Sequence, residues 1–188
     1  MRIISGDLKG KKILLPKDKL TRPLKDLTKE SIFNIIKHSK LIDVSVEKAN
    51  VLDLFSGIGS FGLECLSRGA LFVTFLENYN EALTILKKNI SNMNQQNFSQ
   101  IIERDIFLEN TLKLLNNKFD IIFMDPPYKE KKVSNILNTI TKLDLLKKNG
   151  VIIIHRHKKE EDIFPEKFKI IISKNYGISK IIFGNNLA

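Results

Sequence analysis

From Asn50 onward, apolar runs of strand length alternate with longer amphipathic stretches of helix length. The runs fall at residues 51–55, 72–76, 100–102, 119–124 and 151–154. That alternation predicts a parallel, doubly wound α/β sheet. Two further β-rich runs, 168–173 and 178–183, are joined by Lys174-Asn175-Tyr176-Gly177. Four residues cannot make a parallel crossover, so these runs pair antiparallel if they pair directly. The expected sheet has seven strands with the last reversed. The Asn-rich stretch 91–97 reads as a loop ahead of the third strand, and the chain shows neither an internal repeat nor a low-complexity linker.

Upstream the pattern changes. Residues 2–4 and 12–15 read as two short strands around a turn bounded by Gly6 and Gly10, a small hairpin. Thr28 is placed to cap a helix running to about His38, with Ile32, Ile35 and Ile36 on one face. The expected division is a hairpin-and-helix extension over residues 1–48, packed on a main fold over 49–188. At 188 residues and 43% hydrophobic content, the chain is long enough for one well-buried core, hiding roughly 70% of its unfolded surface.

Charge sharpens this picture. Of the formal net +10, residues 1–29 supply +6, from nine basic and three acidic side chains. Clustered positive charge of this kind is how a phosphate-backbone footprint looks in sequence. No apolar run reaches the length of a membrane span and the first residues carry no export signal, so a cytoplasmic location is expected. The single cysteine, Cys65, fits a reducing compartment and reads as a buried thiol.

The first long strand runs into Asp53-Leu54-Phe55-Ser56-Gly57-Ile58-Gly59-Ser60-Phe61-Gly62, which contains Gly-x-Gly-x-x-Gly. An acid, Glu77, stands at the end of the second strand, where a carboxylate accepts from ribose hydroxyls of either NAD or S-adenosylmethionine. Asp53 discriminates between them. An anion four residues before the first glycine opposes a pyrophosphate but attracts an ammonium and a sulfonium. A third acid, Asp105, follows the third strand, placed to accept from an adenine amino group. Each acid alone has a plain reading as a helix cap or surface residue; three at successive strand ends point to one ligand.

The fourth strand ends in Asp125-Pro126-Pro127-Tyr128. Two prolines stop a central ladder and fix the following backbone, which a simple turn also requires; the acid before them and the aromatic after them it does not. The quartet suits an exocyclic base nitrogen, whose lone pair is delocalised into the ring. If the Asp125 carboxylate and the Pro126 carbonyl accept its two N–H groups, the lone pair is freed to face a methyl donor, and the same acceptors stabilise the developing positive charge. Tyr128 is placed to stack on a base that has been flipped out.

These residues, with Arg2-Ile3-Ile4-Ser5-Gly6, Lys9-Gly10-Lys11-Lys12, Thr21-Arg22-Pro23, Glu30-Ser31-Ile32-Phe33-Asn34, Gly62-Leu63-Glu64, Leu66-Ser67-Arg68-Gly69-Ala70 and Tyr176-Gly177, resemble the bacterial 16S ribosomal RNA guanine-N2 methyltransferases of the RsmD type over nearly the whole chain. The resemblance implies a class I, Rossmann-like S-adenosylmethionine-dependent methyltransferase fold. It also implies a guanine of 16S rRNA as acceptor, within an assembled or assembling 30S particle. The expected catalytic set is Asp125, Pro126, Pro127 and Tyr128. The expected donor-binding set is Asp53, Phe55, Ser56, Gly57, Gly59, Glu77, Asn78, Asp105 and Ile106. Arg2, Lys9, Lys11, Lys12, Arg22 and Lys29 are the expected RNA contacts. A monomer without a metal is expected.

The chain departs from the family pattern at two places. Where the family usually reads Arg-Pro-Thr and then two arginines before the glutamate, this chain has Leu24 after Pro23 and then Leu27 and Lys29, so one expected basic contact is absent. His155 stands where the fifth strand commonly ends in glutamate and is followed by Arg156-His157-Lys158-Lys159; His155 and His157 are read as solvated or phosphate-facing. Three alternatives remain open: adenine-N6 methylation of DNA or RNA, served equally by Asp-Pro-Pro-Tyr; a nicotinamide-dependent oxidoreductase, which leaves residues 125–128 without a task; and a non-catalytic RNA-binding protein using the basic arm alone.

Overall fold

The structure, a computed structural model, describes residues 1–16, 24–108 and 110–186. Its centre is a seven-stranded sheet in the order β3-β2-β1-β4-β5-β7-β6. The strands are β1 (Asn50–Leu54), β2 (Phe72–Glu77), β3 (Ser99–Glu103), β4 (Phe119–Met124), β5 (Leu146–His157), β6 (Phe168–Tyr176) and β7 (Ser179–Asn186). The first five run parallel, and β7 lies antiparallel between β5 and β6. The expected seven-stranded sheet with a reversed last strand is therefore the one observed.

The four helices are α1 (Asp26–His38), α2 (Ser60–Ser67), α3 (Asn80–Asn92) and α4 (Val133–Lys142). Period-2 alternation sorts the strand side chains into two cores. Val51, Phe75, Phe123, Ile153 and Phe183 face α1, α2 and α3. Leu52, Leu76, Ile122, Ile154 and Ile182 face α4 through Ile136, Leu137 and Ile140. On the first face Phe33 of α1, Phe61 of α2 and Phe123 of β4 stack in a row, with centroids 5.3 and 4.1 Å apart. Ile3 and Ile13 lie in that same core, 1% and 3% exposed, so the amino-terminal segment packs directly on the sheet's helical layer.

Several boundaries differ from expectation. The amino-terminal hairpin has one antiparallel bridge, Arg2 with Lys12, and closes on itself through the Ile3 amide to the Lys11 carbonyl at 2.9 Å, Gly10 to Ile3 at 3.0 Å and Ile13 to Met1 at 3.1 Å; Glu64 and Ser67 of α2 bind its other backbone groups. Helix α1 begins at Asp26, so Thr28 is an interior, buried residue and not the cap. The last hairpin turns on Gly177-Ile178 alone, because Lys174, Asn175 and Tyr176 pair with Ile181, Lys180 and Ser179. Gly177 has φ +61 and Ile178 is not among the positive-φ residues, the pattern of a turn with glycine at its first central position. The Asn-rich stretch holds the end of α3 and a short 3₁₀ turn at Gln96–Phe98. Among the described residues no helix is long and apolar enough to cross a membrane.

Candidate active site

The sheet order reverses between β1 and β4: the chain proceeds from β1 outward to β2 and β3, then returns to β4 on the other side. Open α/β sheets bind ligands in the crevice beyond the carboxyl ends of their strands at such a point. A cavity of about 560 Å³ lies there, within the size range of small-molecule sites. Asp53, Glu77, Asp105 and Asp125 all line it, together with Phe55, Ile106, Tyr128 and His155. Strands β3, β2, β1 and β4 are adjacent, so each of four neighbouring strands delivers one acid to one opening.

The glycine loop is tied down from both flanks. Glu77 Oε2 accepts from the Gly57 amide at 2.7 Å, and Oε1 accepts from the amides of Asn78 and Tyr79, both at 2.9 Å. Ser56 Oγ accepts from the Leu76 amide at 2.9 Å, so its role is to join the loop to β2. Gly59 caps α2 with φ +82, and a Cβ there would lie 2.5 Å from Leu86 Cδ1, so only glycine suits the position. Phe55 takes φ +57, which for a bulky residue stores on the order of 1–3 kcal/mol of strain at the cavity wall. Its ring lies 5.9 Å from that of Phe107.

Asp53 is 1% exposed, and its Oδ2 accepts from the Gly62 amide at 3.0 Å, capping the first turn of α2. Burial pushes its carboxyl well above the usual carboxylate range. The Gly62 hydrogen bond opposes that rise, and the nearby charges of Asp125 and Glu77 add to it. A cation in the cavity would reverse the balance. Asp105 Oδ1 accepts from the Phe107 amide at 2.9 Å, and Ile106 beside it is buried. Ser60 Oγ, buried at the cavity wall, has no hydrogen-bond partner among the described residues. A polar ligand with a cationic part therefore fits this cavity, as an ammonium- and sulfonium-bearing molecule would.

At the end of β4, the Asp125 amide reaches the Leu54 carbonyl at 3.4 Å, and Pro126 is buried. His155 corrects the sequence reading: it is neither solvated nor phosphate-facing. It is 6% exposed, with Nδ1 2.8 Å from Asp125 Oδ1 and Nε2 2.8 Å from Ser179 Oγ. Neighbouring Arg156 is 1% exposed. Its Nε donates to both carboxylate oxygens of Asp162 at 3.0 and 2.9 Å, Nη1 donates to the Pro127 carbonyl at 3.1 Å, and Nη2 to the Glu130 carbonyl at 2.7 Å. Both are buried because β5 is paired on both edges and covered on both faces. The Tyr128 ring meets His155 and His157 edge-on, with centroids 5.9 and 5.1 Å apart.

The basic residues divide. Arg2, Lys9, Lys11 and Lys12 are exposed on the amino-terminal segment; Arg22 lies outside the described residues. Lys29 cannot serve as an RNA contact, because its side chain is 0% exposed. Its Nζ donates to the Arg2 carbonyl at 3.0 Å and lies 3.3 Å from Glu64. Glu64, also fully buried, accepts from the Ile4 and Ser5 amides at 2.8 and 3.0 Å. The signal was available: Lys29 precedes Ile32, Phe33 and Ile36 by three, four and seven residues, which puts it on the buried stripe of α1.

The sheet order and the acid-rimmed cavity at its switch point define the class I methyltransferase architecture. A family model described as conserved hypothetical protein 95 matches residues 1–185, and the chain belongs to this family, the RsmD family of methyltransferases. Ribosomal RNA small subunit methyltransferase D of Buchnera aphidicola subsp. Acyrthosiphon pisum is 36% identical over 176 residues, covering 92% of this chain and 86% of the relative. The protein of the same name in Haemophilus influenzae is 30% identical, covering 95% and 90%. Among solved structures, yhhF of Escherichia coli, a candidate methyltransferase, superposes with a TM-score of 0.80 at 23% identity, covering 99% of this chain and 97% of its own; that likeness concerns the fold. A candidate methylase from Haemophilus influenzae gives 0.76 at 28% identity, covering 100% and 98%.

Proposed function

We propose that this chain transfers a methyl group from S-adenosylmethionine to the exocyclic N2 of a guanine in 16S ribosomal RNA, within the 30S particle or an assembly intermediate. The observation that carries the reading is the meeting of Asp125 with the acids of β1, β2 and β3 in one cavity. The names of the relatives support an rRNA substrate. The protein acts in this reading as a cytoplasmic monomer without a metal.

S-adenosylmethionine supplies a methyl group on a cationic sulfur. Asp53 attracts the donor's positive charge, Glu77 accepts from its ribose hydroxyls and Asp105 from its adenine amino group. Phe55, Ile106 and the loop from Ser56 to Gly59 shape the walls, with Asn78 beside Glu77. Asp125 Oδ2 and the Pro126 carbonyl accept the two amine N–H groups, while Pro127 fixes the backbone and Tyr128 stacks on the base. The nitrogen lone pair forms the new N–C bond, the C–S electrons stay on sulfur, and positive charge passes to nitrogen beside the Asp125 carboxylate. An N–H proton then leaves through that carboxylate. Residues 1–48 act as an extension that presents Arg2, Lys9, Lys11 and Lys12, with Arg22, to phosphates around the target base, and residues 49–188 hold donor and base.

Methylation of small subunits from cells lacking this gene, with labelled donor and base analysis, tests the reading. Label in N2-methylguanine is expected; label in N6-methyladenine would replace guanine by the runner-up. Asp125→Ala is expected to abolish turnover with donor binding kept, and near-normal activity in that variant would remove Asp125 from its assigned role.

A further inference from the structure

The reacting carboxylate is itself held by a buried pair that no chemistry above has used. Asp125 stands one residue beyond the Met124–Ile154 register pair of β4 and β5, so His155 is its direct lateral neighbour. An ionised carboxylate only accepts hydrogen bonds. At 2.8 Å from Asp125 Oδ1, the Nδ1 of His155 must therefore carry the proton. In a neutral ring Nε2 then has to accept, and the Ser179 hydroxyl, 2.8 Å away and on the first residue of β7, is its donor. All three side chains line the cavity. A buried imidazole with both nitrogens satisfied in this way has one tautomer and one orientation.

We propose that His155, locked by Ser179 as the Nδ1–H tautomer, is a positioning residue that occupies Oδ1 of Asp125 and leaves Oδ2 as the acceptor for the target amine. The proposal rests on the amine-methylation reading and adds a constraint on the carboxylate plane. Without the Nδ1–H donor, Asp125 is free to rotate about its own side chain and both oxygens compete for the amine protons. A ring of this tautomer fixes the carboxylate without cancelling its charge, which remains for the nitrogen on which positive charge develops. The Tyr128 ring packs edge-on to the imidazole with centroids 5.9 Å apart, so the aromatic that stacks on the base also limits where the imidazole can turn.

Two measurements on the full-length protein decide this. The first needs no turnover: long-range ¹H–¹⁵N NMR of histidine-labelled protein, which contains three histidines, with His155→Asn used for assignment. His155 is expected to show a protonated Nδ1 and an unprotonated Nε2 at neutral pH, with resonances that move in Asp125→Asn. The opposite tautomer overturns the proposal.

The second is methyl transfer by wild type, Asp125→Ala, His155→Asn, His155→Gln and His155→Phe. An asparagine amide nitrogen takes the place of Nδ1, whereas a glutamine amide reaches the place of Nε2. Asparagine should therefore hold kcat within about threefold. Glutamine and phenylalanine should lose about 10- to 100-fold, the range set by a lost hydrogen bond to a charged group. KM for the donor should stay unchanged, since no donor contact is altered. Should His155→Phe fail to fold, the asparagine-to-glutamine comparison decides alone. Equal rates in all His155 variants, with Asp125→Ala inactive, overturn the positioning role and leave amine methylation standing. A wild type that methylates neither guanine nor adenine in any RNA overturns the functional reading instead.

Discussion

Glu64→Gln is expected to destabilise the protein more than Lys29→Met, and the double substitution less than Glu64→Gln alone. Glu64 is fully buried and receives five donors: the Ile4 and Ser5 amides, Arg68 Nε and Nη2 at 2.9 Å each, and Lys29 Nζ at 3.3 Å. Burial lowers the pKa of the Lys29 ammonium, and Glu64 and Asp26 hold it up. Replacing Glu64 by a neutral amide leaves Lys29 facing Arg68 without its buried counter-charge. Removing one partner of a buried pair costs about 3–5 kcal/mol. Lys29 can limit that loss by shedding its proton, which from an ordinary value of 10.5 costs about 5 kcal/mol at neutral pH; the two figures agree.

Lys29→Met, by contrast, leaves Glu64 compensated by Arg68 and two amides. It forfeits chiefly the bond to the Arg2 carbonyl, about 1–2 kcal/mol. In the double variant the fully buried Lys29 cation is gone and the cation left facing the amide is Arg68, whose side chain reaches solvent, so the two changes should be non-additive by about 1–3 kcal/mol. Urea unfolding followed by circular dichroism suits a chain without tryptophan. Equal or reversed single-variant costs, or strict additivity, would refute the assignment of Glu64 as the group that makes Lys29 tolerable in the interior.

Gly6→Ala should detach the amino-terminal segment, since a Cβ at φ +85 would sit 1.7 Å from the Ser67 carbonyl oxygen. Faster hydrogen exchange at Ile4 and Ser5 should accompany weaker RNA binding, and unchanged protection would contradict this. Removing charge at Lys9, Lys11 and Lys12 should flatten the salt dependence of RNA binding by about one unit of slope per lost phosphate contact; an unchanged slope would take these residues out of the footprint. Donor binding should release a proton. With its folded pKa raised, Asp53 withdraws stability as pH climbs from its unfolded value, near 3.8, through the folded one. A bound cation favours the ionised form, so affinity should rise with pH across that window. Calorimetry in two buffers of different ionisation enthalpy reads the proton, and identical heats would refute it. Arg156→Lys should lower kcat with donor binding intact, because lysine cannot hold Asp162 and the Pro127 and Glu130 carbonyls together; normal turnover would show that the loop holds its shape unaided.

The parallel strands were legible because each is an apolar run, and β4 matched its expected range of 119–124. The ends of β5, β6 and β7 were not. Lys147, Lys148 and Asn149 look like loop, yet they extend β5 toward the Leu146–Phe119 pair across a register shift. Lys174 and Asn175 look like turn, yet they continue a ladder whose far side faces solvent. Polar residues in such strands leave no apolar pattern to find. The acids of the cavity were visible from their positions at strand ends. His155 was misread, and the burial of Arg156 not anticipated, because charge in sequence suggests solvent, while the sheet pairs β5 on both sides and brings Asp125 and Asp162 to satisfy them.

Helix α2 joins the two halves of the proposed activity. All eight of its residues are buried, and its polar side chains and first-turn amide point in two useful directions. Toward the cavity, the Gly62 amide holds the Asp53 carboxylate. Away from it, Glu64 holds the amides of Ile4 and Ser5, and Ser67 binds the segment through its hydroxyl and carbonyl, reaching Ser5, Asp7 and Leu8. The exposed lysines of residues 9–12 are therefore fixed to the helix whose amino end bounds the donor cavity, with no flexible linker between. A linker would let RNA-gripping and donor-binding parts move independently and leave the target base poorly placed, since near-attack geometry tolerates little displacement. A rigid shared helix sets the distance from phosphate grip to methyl donor once, at folding. Mutations in the buried Glu64 cluster should for that reason lower turnover on the particle more than binding of free donor.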